Sequence, residues 1–229
     1  MVAMFVIGTV VMFVLADAVV QWAESKRRQA AGLPGMAPGA LVPVGAFDDA
    51  SAPQGIFLHP GHAWAGLQAS GTVRVGMDGF VQSLLGVIDG VELPKEGARI
   101  GRGETLFTVR QGRRKASFQS PLEGIVTTAN RNLETDPSPI GQDPFQKGWI
   151  CTLSPTNLAR NLKELRIAEE AAEWIREEIR SFGDFLASRP VLSPALGAVA
   201  PDGGQPTKGL LQHMDDPTWK QFESRFLHR

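Results

Sequence analysis

The chain has 229 residues, 43% of them hydrophobic and 21% charged, with a formal net charge of −1. A chain of that length holds one packed domain of roughly 100 to 150 residues with extensions, and a charge so near zero removes the electrostatic basis for nucleic-acid binding. The single cysteine, Cys151, excludes an internal disulfide framework and a cysteine-only metal site, and reads as a buried small hydrophobe near a strand.

Met1 to Ala16 carry no charge, and the apolar run resumes after Asp17 as far as Trp22. About 20 such residues match the thickness of a bilayer core, so residues 1–22 read as one transmembrane helix. No basic n-region precedes it, which argues against a secretory signal, although Ala16-Asp17-Ala18 is a passable cleavage site. Lys26-Arg27-Arg28 follows directly, and such clusters stay on the cytoplasmic side. The expected placement is the cell inner membrane, single-pass, with the N-terminus outside and the C-terminal domain cytoplasmic. Asp17 lies near the end of the span, either at the headgroup border or in polar contact with a membrane-embedded partner subunit. Residues 23–56 are rich in Pro, Gly and Ala without periodicity and read as a tether.

A globular unit occupies residues 57–155. Thr72–Gly76, Leu106–Val109 and Gly124–Thr127 are short alternating or β-branched runs bounded by turn residues, the pattern of small antiparallel strands. Asp78 is placed to cap a short helix ending at Gly86, with Phe80, Val81 and Leu84 on its buried side. Turns fall at Leu93–Gly97 and Ser120–Gly124. A compact barrel or sandwich is expected.

Ordered pieces of this unit carry a resemblance: His62-Ala63-Trp64, Thr72–Gly76, Leu85-Gly86, Val91–Pro94, Gly103-Glu104, Ser120–Gly124, Asp143–Phe145 and Gly148–Ile150. In that order they resemble the glycine cleavage system H-protein. The resemblance implies a lipoyl-like barrel-sandwich hybrid and, at the turn before Ser120-Pro121, a lysine bearing lipoate. Here that position is Arg113, preceded by Arg110-Gln111-Gly112. A protonated guanidinium cannot accept the acyl group of an amide linkage. Lys115, two residues along, stays on the same strand face but lies roughly 7 Å from the expected site and off the tip of the turn. No cofactor is therefore expected, and lipoate on Lys115 is the alternative. The basic run Arg110, Arg113, Arg114 and Lys115 is either a solvated hairpin or a contact for an acidic protein surface or for anionic lipid heads of the bilayer.

Other chemistry is sparse. His59 and His62 flank Pro60-Gly61 in an irregular turn with no cysteine or dense carboxylate set beside them, so no metal site is expected. No nucleophile–base constellation and no phosphate-binding glycine loop is present, so neither an enzyme nor a small-molecule substrate is indicated.

Past Pro155 the period changes. Leu158, Leu162, Leu165, Ala168, Ala172, Ile175, Ile179, Phe182 and Leu186 recur at spacings of three and four, which predicts one long amphipathic helix over 156–188. Its seam packs either on the barrel or on another subunit. Residues 189–229 read as a linker followed by a short helix capped by Asp216 and opened by Pro217, with Trp219, Phe222 and Phe226 on one face. Those aromatics must dock either on this chain or in a partner groove, with the partner groove the favoured expectation.

The expected molecule is mainly β, a lipoyl-like barrel-sandwich hybrid with an N-terminal transmembrane helix and a long C-terminal α-helix. Its expected role is that of a non-catalytic, membrane-anchored accessory or scaffolding subunit of a membrane protein complex, with respiratory or photosynthetic assemblies as candidates. A membrane-tethered lipoyl carrier using Lys115 is the alternative.

Overall fold

The computed structural model describes residues 53–188 and 209–228. The expected membrane span with Asp17, the tether up to residue 52 and the linker 189–208 lie outside the described residues. Among the described residues, no helix is long and apolar enough to cross a membrane.

All strand pairings are antiparallel and form two sheets. Strands β1 (Ile56–Leu58), β2 (Ala63–Leu67), β3 (Val73–Met77), β5 (Arg99–Ile100), β8 (Gly124–Ala129), β9 (Cys151–Pro155) and β10 (Arg166–Ile167) make a seven-stranded sheet in the order β10-β1-β2-β3-β9-β8-β5. Strands β4 (Gly90–Glu92), β6 (Thr105–Gln111) and β7 (Arg114–Gln119) make a three-stranded sheet in the order β4-β6-β7. Side chains between them alternate inward to a core that includes Trp64, Val75, Phe107, Val109, Phe118 and Leu153, with the rings of Phe107 and Phe118 stacked 4.8 Å apart. The sequence motif around Trp64 has a packing reason. Trp64 sits opposite Gly76, and a Cβ at Gly76 would lie 2.7 Å from the indole, closer than packed atoms approach. Cys151 is buried in β9, and burial pushes its thiol up to about 12.

The short helix α1 (Gly79–Leu85) begins and ends as the sequence predicts. The Asp78 side chain accepts from Val81 N, and Gly86 ends the helix at φ 74°. Phe80, Val81 and Leu84 are buried. Two further short helices, α2 (Asn132–Thr135) and α3 (Ser138–Gln142), fill the β8–β9 connection.

The predicted continuous helix over 156–188 is broken. Helix α4 (Leu158–Leu162) stops, β10 pairs with β1 through Phe57↔Ile167 and Leu58↔Arg166, and α5 (Ala168–Ala187) starts afresh. The reason is tertiary: β1 would otherwise be an open sheet edge. Leu165 and Ile167 stand two residues apart, a spacing that a strand also uses. The sheet accordingly extends past residue 155, and Ala168 turns the chain back into a helix at φ 52°. The buried face of α5 consists of Ala171, Trp174, Ile175, Glu178, Phe182, Phe185 and Leu186, and it lies on the domain itself.

The tail is also built into this domain. A 3-10 turn (Leu210–His213), helix α6 (Asp216–Phe222) and a π-helical turn (Glu223–Leu227) follow one another. The cap is Asp215, whose carboxylate accepts from Thr218 N, with Asp216 as the first helical residue. Trp219, Phe222 and Phe226 are at most 4% exposed. This differs from the expected partner groove. Phe222 and Phe226 meet Phe182 edge-on at 5.9 and 5.7 Å, and Phe226 meets Phe185 at 5.6 Å. The C-terminal half of α5 thus supplies the apolar shelf on which the tail rests.

Candidate functional site

The hairpin β6–β7 closes between Gln111 and Arg114, leaving Gly112 and Arg113 as its two-residue turn. Gly112 has φ 59°, the positive value that a type II′ turn requires at its first central position and that glycine adopts without steric cost. Arg113 is exposed at the tip. It is the position to which the family resemblance assigns the cofactor-bearing lysine.

The turn is fixed from below. The Asp89 carboxylate accepts from Gly112 N. The Gln111 amide donates to Val87 O at 3.1 Å and also to Leu85 O. Gln212 of the tail donates to that same Leu85 carbonyl at 3.1 Å. Between these groups lies an open cleft of about 500 Å³ beside the tip, lined by Val87, Asp89, Gln111, Gly112, Arg113, Arg114, Gln212 and Asp216. Val87 stands at its rim 69% exposed.

The four basic residues singled out in the sequence divide into different roles. Arg114 turns to the tail: its Nε donates to Asp216 Oδ1 at 3.1 Å, one terminal nitrogen donates to Leu211 O at 3.0 Å, and the other donates to Met214 O. Its guanidinium also sits 5.4 Å over the Trp219 ring. Lys115 lies on β7 opposite Arg110, and its Nζ pairs with Glu92 Oε1 at 2.7 Å. Arg110 lies across Gly90, whose missing side chain leaves room for it. Lys115 first, and Arg110 with it, hold the Glu92 carboxyl below its usual range. Of the predicted contact residues, the structure therefore joins Arg114 to Trp219 and draws Phe222 and Phe226 inside, while Arg110, Arg113 and Lys115 remain at the surface.

Sequence reasoning missed Asp89, Glu92, Gln212, Asp216 and Glu223 as partners of the hairpin. Glu92 was within reach of a register argument, since β4 runs beside β6 with Glu92 opposite Thr108. The tail residues left no local signal.

A second polar cluster lies inside the domain. His62 is 0% exposed and sits at φ 61°. Its Nδ1 is 2.7 Å from Asp78 Oδ2, its Nε2 is 3.8 Å from Glu178 Oε2, and its ring lies between Phe80 and Trp174. Burial by itself would lower the imidazole's affinity for a proton, but the charge and hydrogen bond of Asp78, joined by Glu178, outweigh it and raise the pKa to about 9. His59 is the opposite case. Burial and then the nearby Arg102 push it down to about 4, and its Nδ1 accepts from Gly61 N at 3.0 Å. Among the described residues, no group of three or more His, Cys, Asp or Glu side chains is placed to hold a metal.

Residues 57–178 match the family described as Glycine cleavage H-protein. The chain is 35% identical over 123 residues to the probable glycine cleavage system H protein of Thermococcus kodakarensis, covering 54% of this chain and 91% of that one. It is 34% identical over 116 residues to the glycine cleavage system H protein of Chromobacterium violaceum, covering 51% of this chain and 88% of that one. It is also similar to the solved glycine cleavage system H protein of Mycobacterium marinum, at 26% identity, a TM-score of 0.48 and coverage of 54% of this chain and 98% of that one. With residues 57–178, more than half of its length, matched by the family model, the chain belongs to the glycine cleavage H-protein family.

Proposed function

We propose that this chain is a non-catalytic accessory or scaffolding subunit of a membrane protein complex, built on an H-protein domain whose carrier turn has become a structural joint. The observation that carries this reading is the state of the turn itself. Arg113 occupies the tip, where an amide-forming amine would have to stand, and its neighbour Arg114 is committed to the tail through three hydrogen bonds. The lipoyl group does not fit these residues, because a guanidinium forms no stable amide with a carboxylic acid. Apolar residues 1–22 supply the membrane anchor in this reading, and Asp17 and the exposed Arg110 and Arg113 supply contacts to neighbouring subunits. Purification from the native host in mild detergent tests it: the chain should co-elute with other membrane subunits at low salt. Elution alone as a monomer contradicts the reading.

The carrier alternative has one observation in its favour. The Lys115 side chain is 59% exposed and lies two residues from the tip. Against it, that amine is already paired with Glu92 on the face of the strand instead of projecting from the turn.

A further inference from the structure

The cleft of about 500 Å³ beside the hairpin tip is lined by two parts of the chain. Val87, Asp89 and Gln111 to Arg114 come from the H-protein domain, and Gln212 and Asp216 come from the tail. The tail lies beyond residues 57–178, the span matched by the family model.

Two charges of each sign line the cleft, and they are unequally engaged. Arg114 and Asp216 satisfy each other at 3.1 Å, with Arg114 held further by Leu211 O, Met214 O and the Trp219 ring. Arg113 has no hydrogen bond or ion pair among the described residues, and Asp89 meets Gly112 N through one oxygen only. What the cleft presents is therefore one unpaired cation, one half-used carboxylate and, at its rim, the isopropyl group of Val87, 69% exposed. A ligand with a single sign of charge fits this set poorly. An anion drawn to Arg113 would also face Asp89, and a cation drawn to Asp89 would face Arg113, so each leaves a partly desolvated charge without a partner. A molecule that carries both charges close together leaves neither. Its carboxylate takes the forked guanidinium of Arg113 in paired N–H···O bonds, its ammonium donates to the free oxygen of Asp89, and an aliphatic side chain covers Val87.

We propose that this cleft binds the zwitterion of a free α-amino acid with an aliphatic side chain, with Arg113 as the carboxylate contact and Asp89 as the ammonium contact. The site is independent of whether the chain joins a membrane complex and of whether Lys115 carries any group. Arg110 lies outside the lining and stays open to a neighbouring subunit. Both charged contacts are open to water, which sets the affinity in the millimolar range.

Titration of the full-length, detergent-solubilised chain tests it, with the backbone amides of Val87 and Gly112 followed by NMR. L-Leucine should give saturable shifts at both. Leucinamide, which keeps the ammonium alone, and N-acetylleucine, which keeps the carboxylate alone, should each bind at least about tenfold more weakly, the loss expected for one hydrogen-bonded charge. Leucine should lose affinity by a similar factor in Arg113→Ala and in Asp89→Asn. The second substitution keeps an acceptor for Gly112 N, so the turn is retained while the charge is lost, and unshifted amides in β2 and β3 show that each variant is folded. Leucine shifts that do not saturate at tens of millimolar overturn the proposal. So does a half-ligand that binds as tightly as leucine, or either variant with unchanged affinity.

Discussion

His59 and His62 titrate in opposite directions, and their signs can be followed separately. His62 is raised to about 9, so the stability it contributes is complete below its unfolded pKa of about 6.5 and is lost as pH rises from there through about 9. His59 is lowered to about 4, so its contribution is complete above about 6.5 and is lost as pH falls toward 4. Urea unfolding against pH should therefore show a maximum near pH 6.5, with an alkaline loss on the order of 3 kcal/mol. His62→Asn, which tolerates the left-handed backbone there, should lower stability throughout and flatten the alkaline limb while leaving the acid limb. An unchanged alkaline limb would show that His62 is not held as imidazolium between Asp78 and Glu178. Arg114 gives a second test at this scale. Arg114→Ala should cost about 2 kcal/mol in urea unfolding, the loss of hydrogen bonds to a charged donor. Arg114→Lys should rescue little of it, because an ammonium cannot reproduce the forked geometry. The Asp78 cap was legible because capping is local. Its second role beside His62 was not, because the two residues lie 16 apart in sequence and meet only once β2 pairs with β3.

At the scale of elements, β3, β6, β8 and α1 could be read from alternation, turn residues and caps. The region after Pro155 could not. Leucines at spacings of three and four describe a helix equally well whether or not it is continuous, and only the need to cover β1 decides that residues 166–167 become a strand. The predicted seam holds in part, since Ile175, Phe182 and Leu186 are buried. The inward face of α5 carries Trp174 and Glu178, a large aromatic and a charge that the apolar seam left out. The tail shows the complementary limit: three aromatics on a short helix state that something must cover them, not what. Because they pack on Phe182 and Phe185, Phe226→Ala should destabilise the domain by about 3–5 kcal/mol. It should also speed amide exchange across residues 209–228 more than across β2 and β3. A variant stable to within about 1 kcal/mol of the parent, the error of such measurements, would mean that the tail is not part of this core.

At the scale of the molecule, the family core could be recognised in the sequence because its motifs occur in order. Those motifs are packing requirements: glycine against Trp64, a cap at Asp78, turns that close the sheets. The purpose of the additions was not legible in the same way. A basic hairpin, an amphipathic seam and an aromatic tail each suggested an outside partner, yet Arg114, α5 and the aromatic triplet satisfy one another within the domain. Of the hairpin and its cleft, Arg110, Arg113, Lys115 and Val87 remain exposed. Arg113→Ala should therefore leave folding unchanged within about 0.5 kcal/mol, as for an exposed surface side chain, and a larger loss in urea unfolding would give the tip a structural role instead. The most direct test of a carrier fold kept for its shape is the intact mass of the chain purified from its native host, followed by fragmentation across residues 110–119. An unmodified hairpin is the predicted result. A lipoyl group in amide linkage on Lys115 would contradict it.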